Sequence, residues 1–188
     1  MNTEAEMFTP AQVAEAAGVV RTRLTSWIER DFPRMEPGEA PGPGGRREVS
    51  RNRARQLILA ARLIRWGVPV KQAGRLSLEF TDLADEGKAY ILGTEPPAAR
   101  MPGDLFGDDA TVFRVGFFPD GEARASVDRL ADVAGHRKFT FGPSLVAHEV
   151  LTIDLNQFIA RTDRALAGLQ HNPESADHPE AQTWVNEG

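Results

Sequence analysis

Arg21, Thr22, Arg23 and Ser26 lie close together in the chain, and their side chains are of the types that read nucleic acid. A guanidinium can pair in bidentate fashion with guanine, and a hydroxyl can bond a base edge or a phosphate. Arg23 is the best candidate base reader of the four. Arg46 and Arg47 follow directly on two glycines with no apolar stripe near them, which suits a loop that tracks a phosphate backbone. Arg53 and Arg55 are either phosphate contacts or ordinary surface charges. Thr9 can cap a helix whose first N–H groups favour an anion. The rest of the chain offers little for catalysis. His136 and His148, with Glu149 and Asp154 nearby, lack the spacing of a metal site and read as isolated residues. There is no nucleophile elbow, phosphate loop or dinucleotide fingerprint, and the glycines before Arg46 have no lysine and following helix to hold a nucleotide. The expectation is no enzyme, no cofactor and no metal.

The elements that must position these residues are legible in local signals. Thr9-Pro10-Ala11-Gln12 combines a cap, a proline at the first helical position and a glutamine that completes a capping box. The helix it starts buries Val13, Ala16 and Ala17 and ends near Gly18. A second short helix over Val20–Arg30 turns Leu24, Trp27 and Ile28 inward and Thr22, Arg23 and Ser26 outward. Two short helices joined by a glycine turn, the second with a polar and basic outer face, make a helix-turn-helix pattern. Residues 33–49 are too rich in Pro and Gly for a helix and form a loop or hairpin. Ser50 then caps a long helix with Ala54, Leu57, Ile58, Ala61 and Ile64 at helical spacing and arginines on its other faces. Gly67-Val68-Pro69 closes it. A fourth helix runs from Val70 to about Phe80, with Val70, Ala73, Leu76 and Phe80 turned inward. Trp27 and Trp66 could stack on a base, but the core is the better reading for both.

Charge divides the chain at the same place. The net charge of the 188 residues is −5, yet residues 1–80 hold 13 basic against 9 acidic side chains and residues 81–188 hold 9 against 18. Between Arg21 and Arg75 all 13 basic residues face only five acidic ones, an imbalance expected where one part of a protein meets a polyanion. With 41% hydrophobic and 26% charged residues the composition is that of a globular protein. No apolar run approaches the length of a membrane span and no signal pattern opens the chain, so no membrane contact and a cytoplasmic location are expected. The absence of cysteine excludes disulfides and thiolate metal sites.

The run FTPAQVAEAAGVVRTRLTSWIERDFP, then GGRREVS, then a long helix ending in IRWGVPVKQAGRL, resembles the MerR-type winged helix-turn-helix family, and especially its excisionase-like branch. The resemblance covers residues from about 7 to 80 and rests on the order of the pieces. It implies that the second helix enters the major groove through Arg21–Ser26. It also implies that the wing carrying Arg46 and Arg47 touches the adjacent backbone or minor groove. This wing is longer and richer in proline than the family's, and no aromatic follows its arginines. Nothing after Asp82 resembles the long dimerising helix and metal loop of the mercury sensors.

The expected fold is α+β, with a helical winged domain over residues 1–80, an α+β dimerisation or sensory domain over 82–170 and a mobile tail over 171–188. In the second part Ala89–Leu92 is a candidate strand and Glu95–Asp109 a connection. Thr111–Phe118 and Glu122–Val127 form a hairpin around Pro119-Asp120-Gly121. Arg137–Phe141 and Val146–Ile153 are further strands. Asp154 caps a helix to about Leu169 whose apolar stripe Leu155, Phe158, Ile159, Leu166 and Leu169 packs on its own sheet rather than on another subunit. The expected function is a bacterial or phage-type transcription regulator, such as a repressor, that binds double-stranded DNA as a homodimer, since two heads on two half-sites gain affinity and specificity together. RNA polymerase or another protein is a candidate partner of the second domain. Two rival readings are an excisionase-like architectural recombination factor and a protein-interaction adaptor with a degenerate winged helix.

Overall fold

Helix α1 (Pro10–Ala17) begins where Thr9 Oγ1 accepts the Gln12 N–H at 3.3 Å and the Gln12 side chain accepts the Thr9 N–H at 2.9 Å. It ends at Gly18, whose φ of 63° is a conformation a side chain would disfavour. The computed structural model describes residues 6–30, 48–83, 100–135, 139–141 and 145–170. Arg46 and Arg47 with most of their loop, the expected strand at Ala89–Leu92, His136 and the tail from His171 lie outside the described residues.

Helix α2 (Arg21–Glu29) follows the Gly18 turn. A two-residue strand β1 (Met7–Phe8) pairs antiparallel with β2 (Val49–Ser50), Phe8 opposite Val49. The far end of the long loop is therefore tied to the start of α1. Ser50 then caps α3 (Arg51–Arg65), its hydroxyl accepting the Arg53 N–H at 3.3 Å. Helix α4 (Val70–Thr81) returns against α3.

Strands β3 (Thr111–Phe117) and β4 (Ala123–Arg129) form the expected hairpin. Gly121 takes a φ of 79° in its turn, and the Asp120 carboxylate accepts the Glu122 N–H at 2.9 Å. A short helix α5 (Leu130–Val133) and a ribbon of β5 (Thr140–Phe141) with β6 (Leu145–Val146) lead to β7 (Glu149–Asp154). The three-stranded sheet is antiparallel in the order β4-β3-β7. The single strand expected over Val146–Ile153 is in fact two. At Ala147 the N–H still bonds Phe139, but at His148 it bonds Phe117, so the chain changes partners there. Asp154 then caps α6 (Leu155–Gln170), accepting the Gln157 N–H at 3.0 Å.

The architecture is α+β, with six helices among the described residues. One sheet face presents Phe113, Val115, Ala125, Val127 and Ile153 to the helices, with α4 along β4 and α6 against β3. The other face is covered at Gly116 and Arg114 by Phe139, whose ring lies 4.8 Å from the Arg114 guanidinium. The α6 stripe packs on the sheet as expected, and also on α1 and α3, with the Gln12 side chain donating to the Leu169 carbonyl at 3.3 Å. The hydrophobic cluster runs without a break from Phe8 and Val13 through Leu57 and Phe80 to Phe113, Phe158 and Leu166. Phe80 is fully buried, but two residues expected inside are not: Val70 is 42% and Trp66 44% exposed. Val70 is the first residue of α4, and Trp66 caps the last turn of α3 with Arg62 stacked on its ring. Ala16 is only partly buried, while Ala14 completes the α1 core face. No helix among the described residues is long and apolar enough to cross a membrane.

Candidate nucleic-acid interface

Leu24, Trp27 and Ile28 fix the orientation of α2, being 0%, 6% and 5% exposed. Burying three such side chains contributes several kcal/mol at ~1.5–3 kcal/mol each, enough to hold the opposite face outward. That face carries Arg21, Thr22 and Arg23, all exposed, with Thr25 and Ser26 half-buried beside them. Val20 supplies no side-chain cap, and no acidic residue occupies the first turn. No carboxylate of the first turn itself offsets the positive end of the α2 dipole. An exposed arginine and hydroxyl set at this end of a helix can bond base edges and phosphates together.

The remaining expected site residues separate. Thr9 sits at the start of α1, and its hydroxyl is engaged by the cap and by a 3.0 Å bond to Gln12 Oε1. Arg46 and Arg47 lie outside the described residues. Arg53, expected as a DNA contact, is buried at 3% exposure. Its guanidinium bonds Gln56 within α3 and faces the Asp82 carboxylate at 3.6 Å, so it ties α3 to the end of α4. Helical phase places this arginine inward while Arg51 remains at 46% exposure two residues earlier. Arg55 is also withdrawn, held by both oxygens of Asp163 on α6 at 3.0 and 2.5 Å. Among the described residues no three His or acidic side chains gather as metal ligands.

A second basic constellation escaped the sequence reading. Arg62, Arg65 and Trp66 on α3 and Arg161 on α6 line one open groove of about 650 Å³. The spacing of Arg62, Arg65 and Trp66 on one helix face is visible in the sequence. Their meeting with Arg161, nearly a hundred residues away, is not. Burial, then the like charges of Arg161 and Arg65, pull the Arg62 guanidinium below the usual arginine range.

No protein-family model matches this chain, and no curated protein matches it.

Proposed function

We infer that the protein is a sequence-specific, double-stranded DNA-binding regulator of transcription with a MerR-like winged helix-turn-helix head, acting as a cytoplasmic homodimer. The observation that carries this reading is the exposed Arg21, Thr22 and Arg23 face of α2, backed by buried Leu24, Trp27 and Ile28. The capped α1, the left-handed Gly18 turn and the tie between β1 and β2 support it. Together they place α2 and β2, which follows the arginine-bearing loop, beside the two ends of α1. In this reading the start of α2 enters the major groove, Arg23 reads a base, and Arg46 and Arg47 follow the backbone.

The test is selection of bound sequences from random DNA, followed by anisotropy titrations on the selected site. Arg23→Ala lowers affinity for that site by about 1–3 kcal/mol, or roughly 5–150-fold, and relaxes preference at one base pair. Arg47→Ala weakens selected and random DNA alike and reduces the salt slope by about 1. A palindromic selected site and a dimer in sedimentation support the twofold assembly. Equal losses on selected and random DNA for Arg23→Ala refute base reading, and absence of salt-sensitive binding refutes the DNA function altogether.

A further inference from the structure

The seam between α3 and α6 is neutralised at one end only. Arg51 and Arg55 there meet Asp163. At the other end Arg62, Arg65 and Arg161 converge on the groove, and among the described residues none of the three has a carboxylate within ion-pair distance. Three cations gathered without an anion repel one another, and partial burial first, then the charges of Arg161 and Arg65, lower the proton affinity of Arg62. The fold keeps them there. Arg62 stacks on the Trp66 ring at 4.9 Å, which holds its guanidinium against the groove wall. Trp66 itself is 44% exposed, so part of its ring faces solvent.

The floor differs in character from the rim. Ile58 and Phe158, buried at 5% and 4% exposure, supply an apolar base between the two helices. A volume of about 650 Å³ falls in the range of small-molecule sites. Concavity and an apolar floor are of no use to a phosphate backbone passing over a surface, whereas they suit a compact ligand with a flat body. Arginine forks suit phosphate oxygens, and an exposed indole suits a ring.

We propose that this groove binds a small polyanion joined to a flat ring, the chemistry of a nucleotide, with its phosphates among Arg62, Arg65 and Arg161 and its ring against the exposed part of Trp66 that Arg62 leaves uncovered. The proposal does not rest on whether the α2 face reads DNA.

The experiment is calorimetric titration and thermal melting of the full chain with metal-free ATP, pyrophosphate and adenosine. ATP binds saturably and, at a hundred times its Kd, raises Tm by about 5–10 °C. Pyrophosphate and adenosine each bind at least about tenfold more weakly. Arg62→Gln and Arg161→Gln each lower ATP affinity by roughly 10-fold or more, and both melt without ligand at or above the parent temperature because a repulsion is relieved. Arg161→Lys, which keeps the charge and loses the fork, gives an intermediate affinity and guards against misfolding of the glutamine variants. Trp66→Ala reduces ATP binding to the level of pyrophosphate. The proposal is overturned if ATP does not saturate at millimolar concentration, or if the glutamine variants bind it unchanged. Pyrophosphate matching ATP also overturns it, and so does loss of DNA affinity in the glutamine variants with no ATP binding, which assigns the groove to the DNA backbone.

Discussion

Asp163→Ala tests whether α6 is an integral part of the helical half of the molecule. The Asp163 carboxylate takes both forks of the Arg55 guanidinium, at 3.0 and 2.5 Å, and Arg55 has one further acceptor, the Gly103 carbonyl at 3.3 Å. Arg55 and Asp163 are 15% and 27% exposed, so neither limiting case applies. Fully exposed pairs contribute about 0.2–1 kcal/mol. Breaking a fully buried pair costs about 3–5 kcal/mol, because a charge is left without a partner. A bidentate pair that is mostly buried but still touched by solvent falls between. Asp163→Ala is expected to cost about 2–3 kcal/mol, or roughly 4–12 °C in Tm for a chain of this size. The assay is a double-mutant cycle in urea with Arg55→Ala, followed by far-UV circular dichroism and tryptophan fluorescence. The coupling energy is expected at about 1–2 kcal/mol, with both probes reporting one transition. A coupling within the roughly 0.3–0.5 kcal/mol of independent sites, or two separate transitions, refutes the docking of α6 on α3.

Two further perturbations probe the frame around the sites. Arg100 is 2% exposed, and its guanidinium donates to the carbonyls of Glu79, Phe80 and Leu83 at the end of α4, at 3.2, 2.9 and 2.5 Å, so it closes that helix as a cationic cap. Arg100→Met is expected to cost about 3–5 kcal/mol in urea unfolding by leaving these carbonyls unpaired, and a loss below about 1 kcal/mol contradicts the capping role. At Gly116 a Cβ would lie 2.3 Å from Phe139 Cδ1 and 3.0 Å from Ala147 Cβ. Gly116→Ala is therefore expected to destabilise by about 1–3 kcal/mol through displacement of the Phe139 ring, and an unchanged melting temperature counts against that packing.

Signals that act within a few residues were legible before any fold was known. Thr9 with Gln12, Ser50 and Asp154 each cap the helix they were expected to cap, because a capping bond spans only three residues. Pro119-Asp120-Gly121 makes its turn for the same local reason. The outward direction of Thr22 and Arg23 followed from the phase of Leu24, Trp27 and Ile28 on a single helix, while Ser26, expected outward with them, is half-buried.

Other outcomes depended on what each face meets. An apolar stripe requires a cover but does not say which, and the α6 stripe is covered by the sheet and also by α1 and α3. Trp27 and Trp66 had the same sequence reading, yet one lies under the core at 6% exposure and the other stands at 44% with an arginine on its ring. The arginines of α3 look alike in sequence. Arg53 is buried beside Gln56, Arg55 is joined to Asp163, and Arg62 is left among other cations in the groove. Composition, local capping signals and periodicity alone determined the basic charge of residues 1–80, the helix caps and the polar face of α2. The tertiary structure alone decided which arginines are neutralised, because a charge is balanced by partners that the chain delivers from as far as 108 residues away.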